Sequence, residues 1–202
     1  MAMELYDEAI TTFEEAKRLV VGKSLKNSQF YSNFCYNIGL AYDAKFEFDR
    51  ADPAYLEALE IEEIVSGKNS VNYIIYLLGR AQMLARWDKV SESDALLKGV
   101  APYFEENPES IYYFYFLQAK ADLALKLEDI SEGIAICDKV IQEGPEKLGP
   151  NHDLMSTFLE KKMTALFDHN DPKNGALVMD DFIKVIKAQF FSKYALLTDK
   201  ER

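Results

Sequence analysis

The chain has few residues that interrupt helices and no long apolar segment. Its 202 residues include 9 glycines and 6 prolines, and a low content of both favours helix over turns and irregular structure. No run reaches the roughly 20 apolar residues that a membrane-spanning helix needs. The N-terminus also lacks a basic segment followed by an apolar one. We therefore predict an intracellular, cytoplasmic protein that does not associate with a membrane.

The residues that most often catalyse reactions or hold metals are scarce. There are 2 histidines and 2 cysteines, and neither His152 nor His169 has further ligands at metal-binding spacing. Cys35 and Cys137 each lie in an apolar run with no basic residue in register, which is typical of buried, reduced thiols. No glycine-rich phosphate-binding loop is present. The sequence predicts no catalytic residue, no metal site and no cofactor, and we expect no enzymatic activity.

The charge balance argues against anionic partners. The formal net charge is −11, from 34 acidic and 23 basic residues. An acidic surface repels phosphate backbones and anionic lipid, so we expect no nucleic-acid binding through this segment. The acidic residues are spread along the predicted helices, which indicates a solvated surface first and a basic partner second.

A small residue recurs at a regular interval along the chain. In the second helix of each predicted hairpin, the recurring positions are separated by 42, 40, 42 and 42 residues: Ala9, Ala51, Ser91, Gly133 and Gly175. Gly39, Gly79 and Ala121 each precede one of these positions by 12 residues. Small side chains let two antiparallel helices approach closely. The pattern therefore predicts stacked helical hairpins with a period near 42 residues.

The first complete hairpin resembles the tetratricopeptide repeat. Gly39 and Tyr42 are followed by Ala51, Tyr55 and Ala58 at the spacing of that repeat. The long period is similar to the variety found in kinesin light chains and bacterial signalling proteins. The resemblance implies an all-α fold, a right-handed α-solenoid of about four antiparallel helical hairpins (a TPR-like superhelix). It also implies a protein or peptide partner bound in the concave groove.

Helix breakers divide the chain into nine predicted helices. These are 3–22, 27–46, 49–66, 70–86, 88–100, 108–127, 130–144, 151–168 and 172–190, with breakers that include Gly67, Gly99 with Pro102, and Gly144 with Pro145. We expect a single repeat domain over residues 1–202. Its predicted units are a half unit 1–26, then 27–67, 68–107, 108–149 and 150–190, with a C-terminal cap 191–202.

The resemblance also implies which residues face the groove. In such hairpins the first helix of each unit lines the concave surface, with residues beside the packing position pointing inward. The predicted partner-binding residues are Asn33, Tyr36, Tyr73, Tyr76, Arg80, Tyr115, Gln118 and Asp122. The alternative is that the tyrosines pack between hairpins, with their hydroxyls at the surface.

The half unit at the start leaves two explanations open. Its missing first helix lies upstream in a longer protein, or the exposed N-terminal end is a surface through which the chain forms a homo-oligomer. For function we prefer a non-enzymatic protein- or peptide-binding scaffold. The alternatives are a peptide-sensing, signalling domain of a bacterial transcription factor or phosphatase regulator, and a regulatory array of an enzyme whose catalytic part lies elsewhere.

Overall fold

The computed structural model describes residues 2–23 and 25–200, and the surroundings of the side chains of residues 3–23 and 25–194. All regular secondary structure in this part of the chain is helical. The helices are α1 (Ala2–Gly22), α2 (Gln29–Ala44), α3 (Phe48–Ser66), α4 (Val71–Arg86), α5 (Val90–Glu106), α6 (Tyr112–Lys126), α7 (Ile130–Lys147), α8 (Asp153–Asp168) and α9 (Pro172–Lys200). The prediction of an all-α helical-repeat fold is confirmed. None of the described helices is both long and apolar enough to cross a membrane.

The helices form two compact units, Met1–Pro108 and Glu109–Arg202. In the first unit, α1 to α5 pack in sequence order and α2 also contacts α4. In the second unit, α6 to α9 pack in sequence order and α6 also contacts α8. Each unit is therefore a stack of antiparallel hairpins in which the first helices of successive hairpins touch. A single domain over residues 1–202 stays a prediction.

Each of the four hairpins has one turn between its two helices, and these turns share the same backbone geometry. One residue of each turn has a φ near 60°, and these residues lie 42, 40 and 42 positions apart: Phe46, Asp88, Glu128 and Asn170. The residue that follows each of them donates its backbone N–H to a carbonyl five positions earlier, as Glu47 does to Tyr42 at 2.9 Å. This is the Schellman helix ending, which satisfies carbonyls that the helix end leaves unpaired. The repeat is therefore visible in the backbone conformation as well as in the side chains.

The turns correct the predicted register of the second hairpin. Five residues after the turn position, a small buried residue occurs in every hairpin: Ala51, Ser93, Gly133 and Gly175. Ser91 was the predicted position, but it is exposed, whereas Ser93 is buried and donates from Oγ to the carbonyl of Ala81 at 2.8 Å. Ala81 and Ser93 are again 12 residues apart, which is why the spacing alone did not distinguish the two registers.

Gly79 does not lie at the predicted contact within a hairpin. It lies at a contact between two hairpins. A Cβ atom on Gly79 would lie 2.9 Å from Cε2 of Tyr36, closer than packed carbon atoms approach. The absent side chain therefore leaves room for the Tyr36 ring of α2 to lie against α4. This close approach accounts for the contact between the two first helices in the first unit.

Two carboxylates of α3 link three helices each. Glu62 is fully buried and accepts hydrogen bonds from Ser32 Oγ at 2.8 Å and Ser70 Oγ at 3.1 Å. Ser70 is also the N-cap of α4. Glu57 pairs with Lys17 of α1 at 2.8 Å and accepts a hydrogen bond from the Tyr31 hydroxyl of α2. Because a buried polar group needs a partner, these bonds fix α3 relative to its neighbours.

Three predicted helix ends are wrong. α5 continues past residue 100 and α7 past residue 144, with Pro102 and Pro145 inside the helices. Both prolines are exposed, so water can replace the hydrogen bond that each removes. α9 continues from the predicted end at residue 190 to Lys200. The predicted cap 191–202 therefore begins inside α9, and its residues 201–202 lie outside the described part of the chain.

α1 packs on the first hairpin from its second turn onward, since Leu5 in the first turn is 62% exposed. Ile10 is the buried residue of α1 in the core formed with α2 and α3, and Phe13 packs against that core. The first turn of α1 thus extends beyond the surface that α2 offers.

Replacing Ala51 by Leu tests the hairpin contact. Ala51 is fully buried, so extra methylene groups should overpack the contact and lower the free energy of unfolding by about 1–3 kcal/mol. The matched control is Ser91→Leu, which changes an exposed position of α5 and should shift stability by no more than about 0.5 kcal/mol. Urea unfolding followed by circular dichroism measures both, and equal effects would contradict the corrected register.

The two thiols provide a second test of the core. Burial raises the pKa of Cys35 and of Cys137 to about 12, and both side chains are fully buried. A thiol reacts as the thiolate, so neither cysteine should react with a disulfide reagent at neutral pH until the protein unfolds. The number of thiols titrated with and without denaturant measures this. Rapid reaction of either thiol in the native protein would show that its burial is wrong.

Candidate functional site

One face of α6 carries three polar or aromatic side chains that are not buried in the core, together with Leu125, which packs on Gly133 of α7. Tyr115, Gln118, Asp122 and Leu125 follow each other at spacings of three, four and three residues, so they lie along one side of the helix. Tyr115 is 39% exposed, and the other three are half-buried. Phe114, Leu117 and Ala121 lie about 90° further around α6 and are buried in the core. This face is therefore available for binding.

α8 forms the second wall of the same surface. A cavity of about 440 Å³ lies between the helices of the second unit, lined by Asp122, Leu125, Ile130, Thr157, Glu160, Lys161, Thr164, Ala165, Asp168 and His169. Tyr115 and Gln118 lie on the α6 face that supplies Asp122 and Leu125 to this cavity. We call the surface the α6–α8 groove: Tyr115, Gln118, Asp122 and Leu125 of α6, with Thr157, Glu160, Lys161, Thr164 and Asp168 of α8.

Local sequence explains why α6 and α8 lie side by side. The turn at Glu128 and the small residue Gly133 return the chain along α7, where the Asp129 side chain accepts from Glu132 N–H at 3.1 Å and caps the helix. His152 then caps α8 by accepting from the Leu154 N–H at 3.2 Å through Nδ1. His152 therefore shapes the turn into α8, as a residue at the start of a helix is expected to do.

The groove is acidic. Lys161 is paired with Asp122 across the groove, which neutralises one carboxylate. Glu160 and Asp168 are exposed, and no ion pair between described residues includes either of them. Two carboxylates beside an apolar floor suit a ligand with a basic side chain and some apolar surface.

Sequence reasoning named the α6 residues of this groove but not those of α8. The signal was present, because a shift of 42 residues, the period of the repeat, carries Tyr115 to Thr157, Gln118 to Glu160 and Asp122 to Thr164. Four of these six residues line the cavity, namely Asp122, Thr157, Glu160 and Thr164, and Tyr115 and Gln118 precede Asp122 on the same side of α6. The predicted set contains no threonine or glutamate, so the α8 residues were not selected.

In the first unit, the structure places most predicted groove residues inside the fold. Tyr76 is 1% exposed and donates from its hydroxyl to Asn33 Oδ1 at 2.9 Å. Its ring stacks on that of Tyr36, with centroids 4.5 Å apart. Tyr76 also packs with Ala58 and Leu59 of α3. The prediction that Tyr76 faces an open groove is wrong, since it was built on Gly79 instead of Ala81.

Arg80 likewise points toward the second helix of the preceding hairpin. Its Nε lies 2.7 Å from Asp52 Oδ1 of α3, and both side chains are about five-sixths buried at 15% and 16% exposure. Arg80 occupies the register position of Ile38, a core residue of the first hairpin, because the two lie 42 residues apart. Arg80 therefore joins α4 to α3, in contrast to the predicted binding role.

Tyr73 lines a cleft of the first unit. The cleft has a volume of about 720 Å³ between α4 and α5, and Leu77, Leu96, Gly99 and Tyr103 also line it. Gly99 lies 42 residues after Glu57, so the two occupy equivalent positions in successive hairpins. Glu57 accepts a hydrogen bond from the Tyr31 hydroxyl. The missing side chain of Gly99 leaves the cleft open. Tyr73 also packs against the core cluster that contains Tyr76, so it lies between that core and the cleft.

The reactive side chains of these surfaces are few among the described residues. Cys35 and Cys137 are buried, protonated thiols. Within the described residues, no group of three or more histidine, cysteine, aspartate or glutamate side chains is arranged to hold a metal ion. The exposed groups of the α6–α8 groove can donate and accept hydrogen bonds, pair with a cation and cover apolar surface.

Comparison with known proteins agrees with this architecture. A family profile for the tetratricopeptide repeat matches residues 32–64, which span α2, the Phe46 turn and most of α3. Two similar structures are described as a putative kinesin light chain of Podosopora anserina with nearly identical TPR-like repeats. One, a variant with a single substitution, has a TM-score of 0.66 with 12% identity over 89% of this chain and 86% of that chain. The other has a TM-score of 0.64 with 12% identity, over 91% and 89%.

A third structure gives a similar result. BtubC (BKLC) from P. vanneervenii has a TM-score of 0.65 and 12% identity, over 93% of this chain and 92% of that chain. No curated protein matches the sequence. At 12% identity the likeness concerns the fold alone. Residues 32–64 match the tetratricopeptide repeat, and the chain as a whole has a TPR-like helical-repeat fold.

Proposed function

We propose that the protein is a non-enzymatic scaffold that binds a peptide segment of a partner protein in the α6–α8 groove. The observation that carries the proposal is the alignment of exposed Tyr115 with a 440 Å³ cavity on the same face of α6. Tyrosine covers a large area at low cost in side-chain entropy and is enriched among residues that dominate binding energy. On this proposal, the α6–α8 groove is the surface through which the protein binds its partner.

The charge of the groove defines the kind of peptide. Glu160 and Asp168 attract a lysine or arginine side chain, whereas the Lys161–Asp122 pair can exchange partners with a polar peptide group. Leu125, Ile130 and Ala165 supply apolar contacts within the cavity. We therefore propose a basic segment with an apolar residue nearby, and the net charge of −11 favours its approach.

Tyr115→Ala tests the binding surface. Peptides selected by the full chain from a phage-displayed library of random peptides should be enriched in lysine and arginine. For a selected peptide, Tyr115→Ala should weaken binding by about 2 kcal/mol, or roughly 30-fold in Kd, as loss of an interface tyrosine does. Fluorescence anisotropy with a labelled peptide measures the Kd of each variant.

Tyr6 offers a matched control for this measurement. Tyr6 of α1 is 37% exposed and Tyr115 is 39% exposed, so Tyr6→Ala removes a similar side chain from a different helix and should leave the Kd unchanged. Glu160→Lys should weaken binding of a basic peptide and reduce its dependence on salt. Equal loss of affinity in both tyrosine variants, or no effect of either Tyr115→Ala or Glu160→Lys, would contradict the proposed groove.

A second comparison separates folding from binding among the predicted tyrosines. Tyr76→Ala should lower the free energy of unfolding by about 3–5 kcal/mol, because it removes a buried ring together with its hydrogen bond to Asn33. Tyr115→Ala should change it by only about 0.5 kcal/mol. Denaturant unfolding of both variants measures the difference. A Tyr76→Ala variant as stable as the parent would return Tyr76 to the candidate binding residues.

A further inference from the structure

The cleft between α4 and α5 has no part in the function proposed above. We call it the α4–α5 cleft, and its lining includes Tyr73, Leu77, Leu96, Gly99, Tyr103 and Glu106. Its volume of about 720 Å³ lies in the range of roughly 300–1,000 Å³ that is common for small-molecule sites. Aliphatic side chains, two tyrosine rings and one carboxylate suit a small molecule with an apolar body and few polar groups.

Three successive hairpins carry a tyrosine at the same place in their first helix. Each lies 15 residues before the turn residue with a positive φ: Tyr31, Tyr73 and Tyr113. In the α2–α3 hairpin, Lys17 Nζ of α1 lies 5.1 Å from the centroid of the Tyr31 ring. In the α6–α7 hairpin, Lys139 Nζ lies 5.2 Å from the centroid of the Tyr113 ring and donates to its hydroxyl at 3.0 Å. The chain therefore places an ammonium on this tyrosine in two of the three hairpins.

The α4–α5 hairpin has no lysine at either of the positions that supply these ammonium groups. Leu59 occupies the position of Lys17, 42 residues later, and Gly99 occupies that of Lys139, 40 residues earlier. A Cβ atom on Gly99 would meet no neighbouring heavy atom within 4 Å, and Gly99 is exposed. The place over the Tyr73 ring thus receives no ammonium from these positions and is open to a ligand.

The charged groups that line the α4–α5 cleft favour a cation. Glu106 is exposed, and no ion pair between described residues includes it. Lys68 also lines the cleft, but it pairs with Glu63 at 3.2 Å. An aromatic ring attracts a cation to its face, and a nearby carboxylate adds to this attraction. The net charge of −11 also raises the concentration of cations around the protein.

We propose that the α4–α5 cleft binds a small organic molecule that has a primary ammonium group and an apolar body. The ammonium lies over the Tyr73 ring and donates to its hydroxyl, as the lysine ammonium does in the α6–α7 hairpin. Glu106 balances the charge of the ligand, and the apolar body packs against Leu77 and Leu96. The proposal does not depend on peptide binding in the α6–α8 groove.

Hexylammonium is the probe for this site, because it combines a primary ammonium with an apolar chain. Titrated into the full chain and followed by ¹H–¹⁵N NMR, it should cause saturable shifts of the backbone amides of Leu96, Gly99 and Tyr103. Hexanol lacks the charge and hexanoate reverses it, so each should bind at least about fivefold more weakly. A lack of saturable shifts with hexylammonium, or an equal affinity for hexanol, would overturn the proposal.

The side chain that Gly99 lacks can be supplied by substitution. Gly99→Lys places an ammonium where Lys139 stands in the α6–α7 hairpin, so it should compete with the ligand and raise the Kd of hexylammonium roughly tenfold or more. The matched control, Gly99→Ala, leaves the cleft open and should change this Kd by less than about twofold. Both variants replace a glycine inside a helix without a clash at Cβ, so thermal unfolding should show no loss of stability. Equal Kd values for the two variants would contradict a ligand ammonium at Tyr73.

Tyr73→Leu and Glu106→Gln test the two groups that attract the cation. Each should raise the Kd of hexylammonium by about fivefold, and the effect of Glu106→Gln should shrink at high salt. Leucine retains an apolar side chain where Tyr73 packs on the core, and circular dichroism checks that this variant folds. Glu105→Gln is the matched control for Glu106→Gln, because Glu105 is exposed on the same helix but does not line the cleft. Equal effects of these two variants would indicate unspecific attraction to an acidic surface and overturn the site.

Two further measurements distinguish this ligand from other cations. Tyr115→Ala should leave the Kd of hexylammonium unchanged, and loss of binding in this variant would move the probe to the α6–α8 groove and overturn the cleft site. Nα-acetyl-lysine methylamide carries the ammonium on a shorter apolar chain, so it should bind at least about fivefold more weakly than hexylammonium. Tighter binding of this lysine compound would assign the cleft to a lysine of a partner protein and overturn the small-molecule ligand.

Discussion

The close approach of the two helices of each hairpin is the constraint on which the rest of the structure depends. It is set by a small buried residue in the second helix, five positions after a turn residue in left-handed conformation. Ala51, Gly133 and Gly175 meet this requirement through size alone, and Ser93 adds a hydrogen bond to the facing helix. With this distance fixed, the first helix of each hairpin keeps one side for the core and a second side for its neighbour. The groove exists because that requirement recurs at a nearly constant interval.

Much of the fold could be predicted because its signals are local. Gly67 and the 42-residue interval place most helix bounds within a few residues of those observed, except at the ends of α5, α7 and α9. The turn residues could not be predicted, because Phe46 and Glu128 are not residues that favour a positive φ. The hairpin contact and the Schellman hydrogen bond impose that conformation on them. At these positions tertiary structure, and not local preference, determines the backbone conformation.

The candidate site could be predicted in part, and its errors have one physical origin. Gly79 with Ser91 and Ala81 with Ser93 have identical spacing, so the periodicity admits both registers. A shift of two residues turns a helix by about 200°. Tyr76 and Arg80 thereby pass from the predicted groove into contacts inside the first unit, where they bind Asn33 and Asp52. Ala121 and Gly133 permit no such ambiguity, and Tyr115, Gln118 and Asp122 lie together on one face of α6.

In the second unit, α8 and α9 each use different sides for different contacts. α8 uses one side for the α6–α8 groove and another for α9, and α9 uses one side for α8 and leaves a second side exposed. Gln189 ties α9 to the His152 carbonyl at the start of α8, so the position of α9 is linked to the cap of the helix that lines the groove. Leu159 and Leu166 pack with Val178 of α9 on the side of α8 opposite Thr157 and Thr164. α9 therefore supports α8 from behind the groove and leaves Tyr115 and Glu160 exposed.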